Sequence, residues 1–309
     1  MARHNRTRLG RVGRGTGVAG PVLKGAFWLV AVGLGGLAVV FGFARLGDHL
    51  RGEAVYQLSR DGLRLVKSPD WAAPSALADL DVAGELPERF SLLDPTLCER
   101  LARAYEKCIW VERVERIVKR DPRVPSSGPP LEVRLRFRRP IAFVQVAGRN
   151  GFYLVDTQGV RLPGVYQEPV LGDLRLLVIT GCQASVPSPG DAWSDSSLQA
   201  GVHVAAAVEP IRQKFRLVTV DVSNVGGRRD PRDAEIALFT ANHTRIKWGK
   251  APTPQAALLQ EKTLAEKVAY LDFVYDRLGG RVDGVLSYVD IPNEVVGRRA
   301  TPVGHGLRS

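Results

Sequence analysis

The chain has 309 residues, of which 45% are hydrophobic and 24% charged, and this balance excludes wholesale disorder. It is long enough for one large or two modest cores. A formal net charge of +11 would suit binding to nucleic acid or to an anionic surface. Nucleic acid is disfavoured, because much of the basic excess lies in an acid-free N-terminal segment rather than in a folded unit.

That basic segment is followed by an apolar one, and together they predict a membrane anchor. Residues 1–24 are rich in glycine and arginine, and we interpret them as a basic cytoplasmic tail. Residues 26–44 carry no charge between Lys24 and Arg45, so a transmembrane helix is predicted over 25–45. About 20 apolar residues are needed to cross the hydrocarbon core. Positive charge is denser on the N-terminal side, which predicts a single pass with the bulk of the chain outside.

A cleaved signal peptide is the main alternative for the apolar segment. Signal peptides have an apolar region of about 7–15 residues that ends at a site with small residues. Here the run is longer, and Phe43-Ala44-Arg45 is a poor cleavage site. The sequence therefore favours an uncleaved anchor.

Residues 51–143 predict a small unit with the element order strand, helix, helix, strand, strand. The second helix is expected to begin at Asp94 as the cap, with Pro95 in the first turn. The last strand is predicted from strict alternation. Its apolar positions are Leu131, Val133, Leu135 and Phe137, and its other face carries Glu132, Arg134, Arg136 and Arg138. This strand therefore has one apolar and one strongly basic face.

Residues 144–297 predict a second, β-rich unit, followed by a disordered polar tail over 298–309. An amphipathic helix is expected from Leu198 to Phe215, and several strands follow it. The final helix is predicted from an apolar stripe of Leu264, Val268, Leu271, Tyr275 and Leu278. The fold class expected is α+β, with one transmembrane helix, a small domain, and a mixed β-sheet domain with flanking helices.

The chain shows no residue pattern typical of an enzyme. Its five histidines are scattered, and no nucleophile elbow, phosphate loop or paired-cysteine motif occurs. The acidic pairs Glu112/Glu115 and Asp230/Asp233 lack the further ligands that a metal or acid–base site requires. The three cysteines are an odd number without metal-ligand spacing. Cys98 and Cys108 could pair outside the membrane, but nothing in the sequence requires it, and buried free thiols are expected. We therefore expect no catalysis, no metal, no cofactor and no small-molecule substrate.

The order of these features resembles the FtsQ/DivIB family of bacterial cell-division proteins over essentially the whole chain. Trp110-Val111-x-x-Val114 is similar to the family's passage from helix to strand in its POTRA-like unit. LRFRRPIAF resembles the strand that leaves this unit, and FYLVDTQGVRLPG resembles the hairpin that opens the β domain. AEIALFTANHTRIKWGKAP, EKVAYLDFVYDRL and SYVDI resemble its closing strands and Glu-Lys helix.

The chain departs from the family pattern at three places, one of which is the long, proline-rich loop between the strands of the POTRA-like unit. Arg138 and Arg139 stand where the family usually has an acidic residue before proline. Pro292 follows the last valine–aspartate strand, and proline cannot donate to a sheet ladder. The closing strand is therefore expected either to continue through Pro292 or to split there at a bend.

The resemblance implies a non-catalytic, single-pass scaffold of the division septum in the cell inner membrane. Its implied partners are FtsB/FtsL-type division proteins and the septal peptidoglycan synthesis machinery, bound by strand addition at a terminal edge. The residues implied at that edge are Tyr288, Asn293, Val295, Val296 and Gly297. The alternative is that the two valines only complete the sheet.

Arg134, Arg136 and Arg138 form a second candidate surface, for an acidic partner or for anionic headgroups. The alternative is a solvated strand face whose charges keep an edge soluble. Two other classes of protein also remain open. A POTRA-bearing envelope secretion or assembly component would usually carry several such units or a barrel, and an anchored peptidoglycan enzyme would show a catalytic constellation.

Overall fold

The computed structural model describes residues 19–59, 64–65, 69, 88–124, 128–250 and 261–298. Most of the predicted tail 1–24 and almost all of the predicted tail 298–309 lie outside these ranges. The helices are α1 (Ala19–Gly52), α2 (Leu97–Glu106), α3 (Ser196–Val208), α4 (Arg212–Phe215) and α5 (Leu264–Arg277). The strands are β1 (Gln57–Ser59), β2 (Arg64–Leu65), β3 (Arg89–Ser91), β4 (Val111–Lys119), β5 (Leu131–Phe137), β6 (Pro140–Val146), β7 (Tyr153–Asp156), β8 (Val170–Leu171), β9 (Leu174–Arg175), β10 (Leu177–Cys182), β11 (Leu217–Asp221), β12 (Ile236–Thr240), β13 (Arg245–Gly249), β14 (Leu286–Asp290) and β15 (Val295–Arg298). The described chain is a mixed α+β protein, as the sequence predicted.

Helix α1 contains a segment that is long and apolar enough to cross a membrane. This segment, Ala31–Gly52, has a mean hydropathy of 1.4 and is not buried against any described part of the protein. The helix is longer than the predicted span 25–45, because no proline interrupts it between Lys24 and Gly52. An apolar helix that does not pack against the rest of the protein requires another apolar environment.

In the described part of the small unit, a three-stranded sheet, the two-stranded sheet β1-β3 and one helix are present. The central strand of the three-stranded sheet, β5, pairs parallel with β2 and antiparallel with β4. Helix α2 packs on this sheet, and the buried residues at their interface are Phe90, Leu92, Leu97, Leu101, Tyr105, Leu131 and Val133. Helix α2 begins at Leu97, later than expected, because the Asp94 carboxylate accepts hydrogen bonds from Thr96 in the preceding turn. The other predicted helix falls outside the described residues.

An eight-stranded mixed sheet forms the large unit, in the order β15-β14-β13-β12-β11-β10-β6-β7. Strands β6, β10 and β11 are parallel to one another, β13 is parallel to β14, and the other neighbours are antiparallel. Helices α3 and α5 contribute to the largest apolar core, which also contains Ile179, Val220, Leu238, Ile246 and Val289. Strand β15 therefore lies at one end of the sheet, and β7 lies at the other.

The helices of the large unit differ in detail from the two predicted ones. The helix expected from Leu198 to Phe215 ends at Val208 and resumes at Arg212, because Pro210 falls in the short 3₁₀ turn between them. In α5, Leu264 is 45% exposed, whereas Lys267 is only 4% exposed. The buried face of α5 therefore includes Lys267 and excludes Leu264, whereas Leu271, Tyr275 and Leu278 of the predicted stripe pack against the large core as expected.

Lys267 is buried because it has both a charged and an aromatic partner. Its Nζ lies 2.7 Å from the Glu261 carboxylate and 5.1 Å from the centre of the Trp248 ring. The Glu261 carboxylate fills the space that a Cβ on Gly249 would need, and Gly249 has a φ of +115°. The Trp-Gly end of β13 is therefore built around this ion pair.

The two units contact each other through Trp110 and Arg138. The Trp110 ring is buried with Phe143, Leu154 and other apolar residues on the sheet face opposite the large core. Within the small unit, Arg138 N donates to Trp110 O at 2.9 Å, and Arg138 Nη1 lies 2.8 Å from the carboxylate of Asp156 in the large unit. These contacts fix the small unit near the β6–β7 end, far along the sheet order from β15.

Candidate functional site

The chain closes in a hairpin rather than in one continuous strand. Strand β14 ends at Asp290, β15 begins at Val295, and Pro292 lies in the turn between them. Proline is suited to a turn, because no ladder hydrogen bond is required of it there. Of the two expectations for Pro292, the split strand is therefore the one observed.

The turn of this hairpin is held by Asp290 and Lys262. The Asp290 carboxylate accepts hydrogen bonds from Asn293 N at 3.0 Å and from Asn293 Nδ2 at 3.1 Å. Lys262 Nζ donates to Ile291 O at 3.0 Å and forms an ion pair with Glu294, whose φ is +56°. Ile291 is fully buried in the large core. The start of β15 is therefore fixed by the turn.

Strand β15 is an edge strand whose two valines are exposed. It pairs antiparallel with β14, and no further strand lies on its other side within the described part of the chain. Val295 is 46% exposed and Val296 is 41% exposed. Neighbouring side chains of a strand point to opposite faces, so the strand presents an apolar group on each. An edge of this kind offers unpaired backbone groups to another strand.

Tyr288 and Gly297 are cross-strand partners at this edge. A Cβ on Gly297 would overlap the ring of Tyr288, so the ring occupies the space left by the missing side chain. The carbonyl of Gly297 accepts a hydrogen bond from Ser287 Oγ at 3.0 Å. Four of the predicted edge residues, together with Asn293 in the turn, are thus brought into one hairpin.

An open groove of about 710 Å³ runs beside the hairpin. Its lining consists of Arg245, Lys247, Ser287, Tyr288, Asp290, Asn293 and Val295. The basic residues of the groove belong to β13, and Lys247 Nζ lies 5.9 Å from the centre of the Tyr288 ring. The groove therefore combines an aromatic ring, an exposed valine and charged groups beside a free strand edge.

Asp233 fixes the two basic side chains of the groove. Its carboxylate lies 2.6 Å from Arg245 and 3.1 Å from Lys247, and Lys247 also lies 3.5 Å from Asp290. Burial alone would raise the pKa of Asp233, but hydrogen bonds from Arg245 and Lys247 outweigh it and lower the pKa to about 2. The hydrogen bond to Asp233 in turn raises the pKa of Lys247.

The charged residues of this groove were missed in the sequence, although one signal was present. In β13, Ile246 and Trp248 are buried and alternate with Arg245 and Lys247. That alternation places the two basic residues on the face opposite the large core. Their partner Asp233 lies in the loop between β11 and β12, and nothing in the sequence pairs it with them.

The second predicted surface is divided in the structure. Arg134 and Arg136 lie on the exposed face of β5, but Glu132 contacts Arg134 at 3.4 Å and Glu115 contacts Arg136 at 3.9 Å. Arg138 lies beyond the end of β5, and its side chain is only 18% exposed beside Asp156. The predicted row of three arginines is therefore two arginines among carboxylates and one arginine in the junction between the units.

The other chemically notable residues have structural surroundings. Asp230 accepts a hydrogen bond from Arg232 N at 2.9 Å, and it does not share a site with Asp233, which pairs with β13. None of the three cysteines forms a disulfide, and burial raises the pKa of Cys182 to about 12. Among the described residues, no three His, Cys, Asp or Glu side chains are grouped as metal ligands would be.

A scan of the chain against models of known protein families found no match, and a search of curated proteins found no match either.

Proposed function

We propose that this chain is a non-catalytic, single-pass scaffold of the bacterial division septum. In this proposal the large unit lies outside the inner membrane and binds membrane-anchored division proteins of the FtsB/FtsL type. The observation that carries the proposal is the uncovered edge of β15, with Val295 and Val296 exposed on opposite faces beside the groove at Tyr288.

Strand addition is the binding mode that suits this edge. A partner segment that pairs with β15 gains backbone hydrogen bonds, and its alternate side chains contact the groove. Natural proteins usually protect such an edge with charged residues, proline or a covering element. The first two positions of β15 instead carry valines, and the proline lies in the turn. A strand with this sequence is therefore suited to being covered by a partner.

The rest of the chain supports the same proposal. The apolar helix α1 has the length needed to anchor the protein, and no described part of the chain covers it. The small unit follows it directly, with one helix packed on the sheet β2-β5-β4, which supports the POTRA-like assignment. The buried Arg138–Asp156 pair keeps this unit at the β7 end, so the β15 edge stays open.

Site-specific photo-crosslinking in living cells tests this proposal. A photoreactive amino acid at Val296 should crosslink to small single-pass division proteins, whereas the same residue at Arg149, in the β6–β7 turn, should not. Crosslinks from Val296 to secretion or outer-membrane assembly components would instead support the alternative POTRA-bearing class. Equal crosslinking from both positions to the same proteins would contradict a specific role for β15.

A further inference from the structure

The outward side of strands β4 and β5 carries four arginines in two cross-strand pairs, and we call these four residues the arginine face. Arg113 lies opposite Arg136, and Arg116 lies opposite Arg134. Like charges directly opposite each other on neighbouring strands destabilise a sheet. Folding does not require this arrangement, because glutamate in place of Arg113 or Arg116 would form an opposite-charge pair.

Two irregularities in β4 bring the arginines opposite each other. The register with β5 shifts by one residue just before each arginine of β4. Without the first shift Glu112 would lie opposite Arg136, and without the second Glu115 would lie opposite Arg134. Each shift also keeps the next valine or isoleucine of β4 packed on the small core. Such bulges redirect side chains and are frequent beside functional sites.

The carboxylates that contact this face do not balance its charge. They are Glu112, Glu115 and Glu132, which lie 3.4–4.0 Å from nitrogens of the arginine face. Glu132 is shared with a fifth arginine, Arg120, at 2.5 Å. Arg116 is exposed, and no described residue forms an ion pair with it. Within the described part of the chain, five guanidinium groups therefore share three carboxylates.

The arginine face is open to solvent, and its spacing is that of a strand. The side chains of Arg113, Arg134 and Arg136 are 51–59% exposed. Helix α2 and the small core lie on the other side of the sheet. The two arginine pairs are two residues apart along β5, which corresponds to about 7 Å. Alternate side chains of any extended segment have this same spacing.

We propose that the arginine face binds an extended, acidic segment of a partner protein that carries carboxylates at alternate positions. One carboxylate lies between Arg116 and Arg134, because guanidinium groups hold carboxylates in a bidentate manner and this pair has the least compensation. A protein segment suits the face better than a lipid surface does, since the interspersed carboxylates Glu112, Glu115 and Glu132 would repel a continuous layer of phosphates. This inference does not rest on the role of β15.

Fluorescence anisotropy of a labelled peptide with the full-length protein in neutral detergent tests the inference. The peptide alternates glutamate and threonine over about eight residues, and its control has glutamine in place of every glutamate. The acidic peptide should bind, and added salt should release it, because exposed charges are screened. Arg116→Gln/Arg134→Gln should weaken its binding about fivefold, from slightly more than twofold for each ion pair.

Two further variants separate binding from folding. Arg149→Gln/Arg175→Gln removes two exposed arginines of the large unit and should bind the acidic peptide as the wild type does. Arg116→Glu turns a like-charge pair into an opposite-charge pair, so it should raise the melting temperature while it weakens peptide binding. A purely structural role of the arginines predicts a lower melting temperature instead.

Four results would overturn the inference. The first two are equal binding of the acidic peptide and its glutamine counterpart, and unchanged binding in Arg116→Gln/Arg134→Gln. The third is a lower melting temperature for Arg116→Glu. The fourth is displacement of the peptide by an equal concentration of glycerol phosphate, which would show that the face recognises the phosphate of a lipid headgroup rather than a protein segment.

Discussion

The ring of Tyr288 lies where the side chain of residue 297 would be if that residue were not glycine. The two residues are paired across β14 and β15, so the missing Cβ of Gly297 allows the ring to pack against the edge strand. An aromatic ring that covers a cross-strand glycine stabilises an edge hairpin. This packing also places the ring at the groove beside Val295.

Replacing Gly297 with valine is expected to displace the Tyr288 ring. Overpacking of this kind typically lowers the free energy of unfolding by about 1–3 kcal/mol. Thermal unfolding of the purified protein and partner capture should both be impaired. In a Tyr288→Ala background the space next to residue 297 is already vacant. Replacing Gly297 with valine should then lower the free energy of unfolding much less. Additive losses in the two backgrounds would contradict the packing described here.

Arg138 and Arg134 are expected to behave differently on substitution, although both were predicted to lie in one basic row. Arg138→Gln leaves the nearly buried Asp156 carboxylate without its charged partner and should lower the free energy of unfolding by about 3 kcal/mol. Arg134→Gln changes an exposed side chain, so its free energy of unfolding should stay within about 0.5 kcal/mol of that of the wild type. Equal melting temperatures for the two variants would contradict the junction role of Arg138.

Removing the charge of Lys267 is expected to destabilise the large unit more than removing the whole ion pair. Lys267→Met leaves the Glu261 carboxylate beside Gly249 without its cation. This substitution should lower the free energy of unfolding by about 3 kcal/mol. Lys267→Met/Glu261→Gln removes both charges and should recover a substantial part of that loss. Thermal unfolding of the three proteins checks this order, and a double variant weaker than the single one would contradict it.

The free energy of unfolding is expected to fall at acid pH because of Asp233. Its pKa is lowered from 3.8 to about 2 in the folded protein, so its contribution is fully present above about pH 4. That contribution is lost as the pH falls from about 4 to about 2. Asp233→Asn should be less stable than the wild type at neutral pH, and the difference should shrink over this interval. A difference independent of pH would contradict the assignment.

Local patterns predicted the elements of this fold better than its charged contacts. Alternation in β5 correctly identified Leu131 and Val133 as buried, because side chains of a strand alternate between faces. It failed for Arg138, since the strand ends at Phe137 and the partner Asp156 belongs to another hairpin. Pairing between distant residues leaves no periodic signal in a single sequence.

The same distinction holds for the candidate site. The residues of the terminal hairpin were predicted by resemblance, but Pro292 left two outcomes open that only the turn bonds of Asp290 and Lys262 resolve. The stripe on α5 was misplaced at Leu264, because the buried Lys267 depends on Glu261 and Trp248 outside the helix. A charged residue in a core face is predictable only when its partner is known.

The central claim is that the β15 edge binds the division partners, and one pull-down tests it most directly. The comparison is between the full-length protein and a chain that ends at Glu294, both captured from native membranes in mild detergent. This truncation keeps the buried Ile291 and the Lys262–Glu294 pair, and it removes β15. We expect the full-length chain to retain small single-pass division proteins and septal synthases, and the folded truncated chain to lose them. Retention of the same proteins by the truncated chain would contradict the claim.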